Sequence, residues 1–374
     1  MTRQTRIMLV TDAVGGVWTY SVELAEALRG HGFESLLAVI GPSPSAAQRR
    51  EAGAAEVIDT GLPLDWTAGR PDLVRRAGCA LAELATSKSV DLVQTNTAAL
   101  LADCTFDQPV VVLQHSCVAT WWDAVRGTAL PRDFLWRRDL VEMGMHAAKA
   151  VVAPTAAFAA QTSRVYSLGR PIQVVHNGRR ALPMRKRGPE NIVFTAGRLW
   201  DEGKNVQVLD EAAALLKVPF EAAGPLAGPN GTAVSFDHLV TPGQLSPDQL
   251  AERLGARPIF ASAARYEPFG LSVLEAAQAG SALVLSDIPT FRELWGGCAL
   301  FVPADDPHAF VQAIEGLIED PELRAAMSMA SRTRALRYTS DAMATRMVQL
   351  YAGILPQPAL PISASTSAEL AGAA

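Results

Sequence analysis

Residues 265–280 read RYEPFGLSVLEAAQAG, a loop that turns into a helix. Glu267 and Glu275 stand eight positions apart, with Phe269-Gly270-Leu271 between them. A helix that starts near Leu271 leaves its first amides without carbonyl partners. These amides point back toward the glycine loop and form a ready anion site. Glu275 then lies about one turn into the helix and Glu267 in the loop before it, so one ligand can meet both carboxylates and the amides. An amphipathic helix with two solvated glutamates has the same bare spacing. The intervening Pro-Phe-Gly-Leu and the trailing Ala-Gly favour the ligand-binding reading.

Outward from this segment, strands and helices alternate. On its N-terminal side come strand candidates Ile192–Ala196, Phe220–Ala222 and Ile259–Ala261, with helices over about 206–216 and 247–254. On its C-terminal side, Ser272–Ala279 is the helix and Ala282–Leu285 the next strand. The first half has the same rhythm. Ile7–Thr11 is a compact apolar run, as expected for a parallel strand covered on both faces. Gly15-Gly16 follows, and Val17, Tyr20, Leu24, Ala25 and Leu28 then recur at helical spacing before Gly30 and Gly32. Further strands are expected at Ser35–Ile40, Leu92–Thr95, Val110–Gln114, Ala150–Ala153 and Ile172–Val175. Such alternation predicts parallel βαβ units, and hence two doubly wound halves in tandem. The basic, proline-containing stretch RRALPMRKRGPE at 179–190 reads as their connection. Near the end, Met343, Met347, Leu350, Tyr351 and Ile354 share one helical face. Residues 356–374, rich in Pro, Ala and Ser, are expected to be disordered.

The 265–280 segment resembles the Glu-x7-Glu motif of retaining GT-B glycosyltransferases, in the form common in glycosyltransferase family four. The resemblance runs from about residue 7 to 355. TAGRLWDEGKN at 195–205 is similar to the family's strand-end Gly-Arg-Leu segment, with one residue more between Arg198 and Lys204. DAVGGVWTY at 12–20 resembles its first glycine loop, and LQHS at 113–116 puts His115 after a strand, as in the family. VVHNG at 174–178 resembles the Asn-Gly that closes the first domain, but Arg179 stands where the family commonly has Asp.

The resemblance implies an α/β GT-B fold: two Rossmann-like domains facing across a cleft, 1–180 for the acceptor and 181–340 for the nucleotide sugar. The helix 341–355 is expected to cross back onto the first domain. Arg198 and Lys204 would contact the donor diphosphate. Gly15, Gly16, Phe269, Gly270 and Leu271 would shape the donor site, with Glu267 on the sugar, Glu275 on the ribose and His115 near the anomeric carbon. Retention of configuration rests on the resemblance alone. UDP- and GDP-linked hexoses share these motifs, and the acceptor is unidentified. A GT-B-like nucleotide-sugar epimerase and a non-catalytic nucleotide-sugar-binding protein remain as alternatives. Trp121 and Trp122, with Arg126 shortly after, suit an acceptor platform and a packed helix face equally well.

Bulk properties narrow the remaining classes. The 374 residues are 49% hydrophobic and 19% charged, the balance of a globular protein with a large core. A net charge of −5 gives no general attraction to nucleic acid. Asp-x-Asp, which a metal-dependent GT-A transferase would need, is absent, so neither a metal nor another cofactor is expected beyond the co-substrate. GxGxxG, GxSxG and HExxH are also missing. Cys79, Cys104, Cys117 and Cys298 form no CxxC pair, so reduced thiols and a cytoplasmic setting are expected. No apolar run is long enough to span a bilayer, which leaves peripheral membrane contact open.

Overall fold

The computed structural model describes residues 4–183, 188–229 and 231–355. The disorder expected for 356–374 and part of the basic connection, 184–187, lie outside the described residues.

The first sheet comprises β1 (Thr5–Asp12), β2 (Phe33–Ile40), β3 (Glu56–Asp59), β4 (Leu92–Thr95), β5 (Val110–Leu113), β6 (Ala150–Ala153) and β7 (Gln173–Val174). Its helices are α1 (Gly16–Arg29), α2 (Ala46–Glu51), α3 (Pro71–Ser87), α4 (Val118–Val125), α5 (Arg132–Ala147) and α6 (Ala156–Tyr166). The strands pair in the order β3-β2-β1-β4-β5-β6-β7, all parallel. The chain order therefore reverses between β1 and β4, where open α/β sheets bind ligands. Alternate side chains of β1 enter opposite cores: Met8 and Val10 on one face, Ile7 and Leu9 on the other.

The second sheet comprises β8 (Val193–Ala196), β9 (Phe220–Ala223), β10 (Val240–Gly243), β11 (Ile259–Ser262), β12 (Leu283–Ser286) and β13 (Leu300–Val302). Its order, β10-β9-β8-β11-β12-β13, is again parallel and repeats the reversal between β8 and β11. Helices α7 (Val206–Ala213), α8 (Pro247–Gly255), α9 (Leu271–Ala279), α10 (Pro289–Trp295), α11 (Pro307–Glu319) and α12 (Pro321–Ala335) accompany it.

The last helix, α13 (Ser340–Ala352), leaves this half. Met343, Met347, Leu350 and Tyr351 join Ile7, Trp18 and Leu24 in the core beneath the first sheet. Tyr351 donates its hydroxyl hydrogen to Gln94 Oε1, and Gln94 in turn donates to Tyr20 Oη at 3.2 Å. At the entry to α13 the backbone of Gly178 lies hard against it. A Cβ at position 178 would stand 2.0 Å from the Thr339 carbonyl oxygen, so no larger residue fits without movement.

The thiol expectation needs correction at one pair. Cys79 on α3 and Cys104 are joined in a disulfide, with Cα atoms 5.3 Å apart. They lie 25 residues apart in sequence, and the link depends on the turn at Ala98–Leu101 packing onto α3, a tertiary contact that spacing does not reveal. Cys117 and Cys298 are free. Among the described residues no helix is long and apolar enough to cross a membrane.

Candidate active site

Three segments meet between the sheets. The first follows β1: Gly15 adopts φ +77° and caps α1 without a side-chain hydrogen bond, leaving the first amides of α1 open. A Cβ on Gly15 would lie 3.6 Å from Arg198 Cδ, and one on Gly16 3.5 Å from Leu271 Cδ1. The glycine loop of the first domain thus faces the cation and helix start of the second. The second segment runs from β8 through Gly197, Arg198 and Asp201 to a 3-10 turn, Glu202–Lys204. The third is the loop before α9, whose N-cap Gly270 is left-handed at φ +90° and offers no side-chain cap.

Together they wall a cleft of about 480 Å³. All ten residues named for the donor site and the anomeric carbon line it: Gly15, Gly16, His115, Arg198, Lys204, Glu267, Phe269, Gly270, Leu271 and Glu275. Their charges are paired internally. Arg198 Nη2 lies 2.9 Å from Asp201 Oδ2, and Lys204 forms an ion pair with Glu267. Glu275 Oε1 accepts from Arg179 Nη1 at 2.5 Å. Burial pushes the Glu275 carboxyl above its ordinary range, opposed by Arg179 and assisted by Glu23. Asp201 is held low instead: burial would raise it, but Arg198, Lys204 and the Trp121 indole outweigh that.

His115 closes the first-domain side. Its ring meets Tyr20 edge-on, with centroids 4.5 Å apart, and its Nε2 has no hydrogen-bond partner in the protein. Burial lowers its pKa to about 3, so the imidazole is neutral at physiological pH.

A second, larger cavity of about 760 Å³ opens between the first domain and the 198–202 segment of the second. It shares a wall with the cleft that includes Val14, Val17, His115, Arg198, Trp200 and Tyr266. Trp121 and Trp122 line it, with the Arg126 guanidinium 5.8 and 5.7 Å from their ring centroids. Trp121 also spans the domains, donating its Nε1 hydrogen to Asp201 Oδ1 at 3.0 Å, while Arg126 reaches Glu202 at 2.6 Å.

Three members of these walls escaped the sequence reading. Arg179 lines the cleft at the position where the family's usual Asp is replaced, and that departure was the available signal. Asp12 ends β1, its Oδ1 accepting from the Val14 amide at 2.7 Å. Burial raises its pKa to about 6; the Val14 hydrogen bond and Arg198 oppose this, and Asp65 adds to it. Asp65 itself, also raised by burial, accepts from Thr97 Oγ1 at 2.7 Å. Asp65 stands in none of the quoted segments, and Asp12 opens the 12–20 segment, where the two glycines drew the attention. Glu293 lies outside both cavities and caps α6 from the other domain, accepting from the Ala156 and Ala157 amides at 2.9 and 2.7 Å.

Sequence comparison matches residues 14–180 to Glycosyltransferase Family 4 and residues 235–334 to Glycosyl transferases group 1. The chain belongs to the group 1 glycosyltransferases. Among its relatives is the phosphatidyl-myo-inositol mannosyltransferase of Mycolicibacterium smegmatis, 31% identical over 134 residues. That alignment takes in 35% of this chain and 32% of the relative's length. Glycogen synthase of Mycobacterium tuberculosis is 25% identical over 338 residues, 79% of this chain and 78% of that one. The fold is GT-B. Sucrose-phosphate synthase from Thermosynechococcus elongatus superposes with a TM-score of 0.76 at 19% identity, covering 94% of this chain and 99% of that one. Anabaena HepE, solved in complex with UDP-glucose, gives 0.72 at 18% identity, covering 93% and 99%.

Proposed function

We propose that this group 1 glycosyltransferase moves a hexose from a UDP- or GDP-linked donor to a hydroxyl acceptor, with retention of configuration and without a metal. One observation carries the reading. Arg198, Lys204 and the open N-terminus of α9 line the same cleft as Glu267 and Glu275, opposite the Gly15-Gly16 loop and a neutral His115. The HepE complex with UDP-glucose, a relative in fold, is consistent with a nucleotide sugar as ligand.

In this proposal the diphosphate displaces the internal partners of Arg198 and Lys204 and accepts from the first amides of α9. Glu275 accepts from ribose hydroxyls and Glu267 from the sugar. The bond between the anomeric carbon and the diphosphate oxygen breaks as the acceptor oxygen approaches from the same face. The acceptor proton passes to the departing phosphate. Fixed cations aimed at the leaving group lower the barrier because its charge grows in the transition state.

Arg198→Ala should lose roughly 2–4 kcal/mol of that stabilisation, about 30- to 1000-fold in kcat. Release of UDP or GDP in the presence of acceptor measures it. Normal turnover by this variant, or a soaked crystal with the nucleotide far from Arg198, Lys204 and 267–275, would overturn the proposal. A chelator should leave the rate unchanged.

A further inference from the structure

Two acid–base pairs meet where the chain passes from the first domain to the second. Arg179 Nη1 lies 2.5 Å from Glu275 Oε1, with 13% and 7% of the two side chains exposed. Arg180 donates from its amide and its Nε to Glu23 Oε2, both at 3.2 Å, and Ser340 Oγ donates to the same oxygen at 2.6 Å. Of these pairs, the first lines the donor cleft and the second does not.

Arg179 is tied to the helix that carries its partner. Its amide donates to the Tyr338 carbonyl at 3.2 Å, and its carbonyl accepts from Gln278 Nε2 at 2.8 Å. Gln278 stands about one turn beyond Glu275 on α9, so backbone and side chain of Arg179 are both held by that helix. Arg179 Nε is buried without a partner. The guanidinium is thus placed for Glu275 and leaves one of its own hydrogens unsatisfied.

Glu275 needs such a neighbour. It is buried, and the charged groups that face it are Glu23 on α1 and Arg179 on the connection. Burial and Glu23 both favour the neutral acid, and Arg179 opposes them. An ionised carboxylate offers about four acceptor sites on its two oxygens, whereas a protonated one gives up a site to its own hydrogen. Arg179 takes one site on Oε1, and no other group among the described residues donates to this carboxylate. What is left suits two hydroxyls on adjacent ring carbons, held by charge-assisted hydrogen bonds.

We infer that Arg179 is a positioning residue of the donor site: it fixes Glu275 as an ionised acceptor whose remaining lone pairs receive both hydroxyls of the donor's ribose. The inference rests on the nucleotide-sugar reading above.

Calorimetry on the full chain tests it, with UDP, GDP and their 2′,3′-dideoxy counterparts from pH 6 to pH 9. The quantity read is the ratio of dideoxy to ribose Kd, from which ionisation of the phosphates cancels. The parent should bind the ribose form more tightly. Arg179→Met and Arg179→Gln remove the charge, so Glu275 takes up its proton at a higher pH than in the parent. In these variants the ratio should fall about tenfold at pH 7, the worth of one hydrogen bond to a charged group, and return toward the parent value by pH 9. Arg179→Lys should restore most of it at pH 7. Thermal unfolding shows that each variant is folded. A merely structural role would weaken ribose and dideoxy forms alike. That result, an unchanged ratio in the folded neutral variants, or a fall independent of pH overturns the inference. Equal binding of both forms by the parent overturns it too and leaves the nucleotide-sugar reading standing. If the parent binds none of the four, that reading falls, and this inference with it.

Discussion

At the scale of single residues, the cleft is held ready by charges that neutralise one another until a ligand arrives. Asp12, on the wall of the neighbouring cavity, is like Glu275 and Asp65 an acid whose burial favours its neutral form. Its folded pKa of about 6 exceeds the ordinary 3.8, so the stability it contributes is complete below about pH 4 and is lost as pH rises through 6. Asn at this position keeps the oxygen that accepts from Val14 and never ionises. Asp12→Asn should therefore melt a few degrees above the parent at pH 7.5, and the gain should vanish by pH 4. A gain independent of pH would show that Asp12 ionises freely. Its behaviour was not legible in the sequence, because the burial that raises its pKa, and the lesser effects of Arg198 and Asp65, are made by tertiary structure. Arg198, Lys204, Glu267 and Glu275 were singled out because their segments resemble the family's, and the structure places all four on the cleft wall.

At the scale of elements, the contacts between the two halves are caps and pins on helix ends. Glu293 of α10 closes the N-terminus of α6 and also meets His176 Nε2 at 3.2 Å. Burial alone would raise its carboxyl, but the His176 hydrogen bond and the two amides hold it below the usual range. Its contribution is therefore present above the ordinary carboxylate range and is lost as pH falls through the lowered folded value. Glu293→Ala should cost about 1–2 kcal/mol in urea unfolding at pH 7, by the measure of a lost helix cap. The difference from the parent should shrink in acid. Most elements could be read in advance from their period. Short β3 was missed because Glu56–Asp59 is only partly buried and lacks an apolar run. The Cys79–Cys104 link was missed because nothing in α3 announces which turn will pack against it.

At the scale of the whole molecule, alternation was enough to foresee two parallel sheets, and a one-sided apolar helix enough to foresee α13. How the halves are joined depends on close backbone packing. Gly178 is where this is most severe, and Gly178→Ala must displace the Thr339 carbonyl. The variant should lose about 1–3 kcal/mol, typical of overpacking, and calorimetry should show its unfolding peak broadening or dividing as the two domains uncouple. A single sharp peak at the parent temperature would contradict the packing described. Beside that glycine, Arg179 donates its amide hydrogen to the Tyr338 carbonyl at 3.2 Å, so the outgoing and returning passages of the chain run together at the base of the cleft. Two adjacent stitches bind these halves like the pages of a book. Turning about the line through both stitches strains neither, whereas sliding or skewing one page over the other pulls on both. Any such turn must also part the Trp121–Asp201, Arg126–Glu202 and Glu293–α6 contacts, so a ligand that opens the pages works against those clasps.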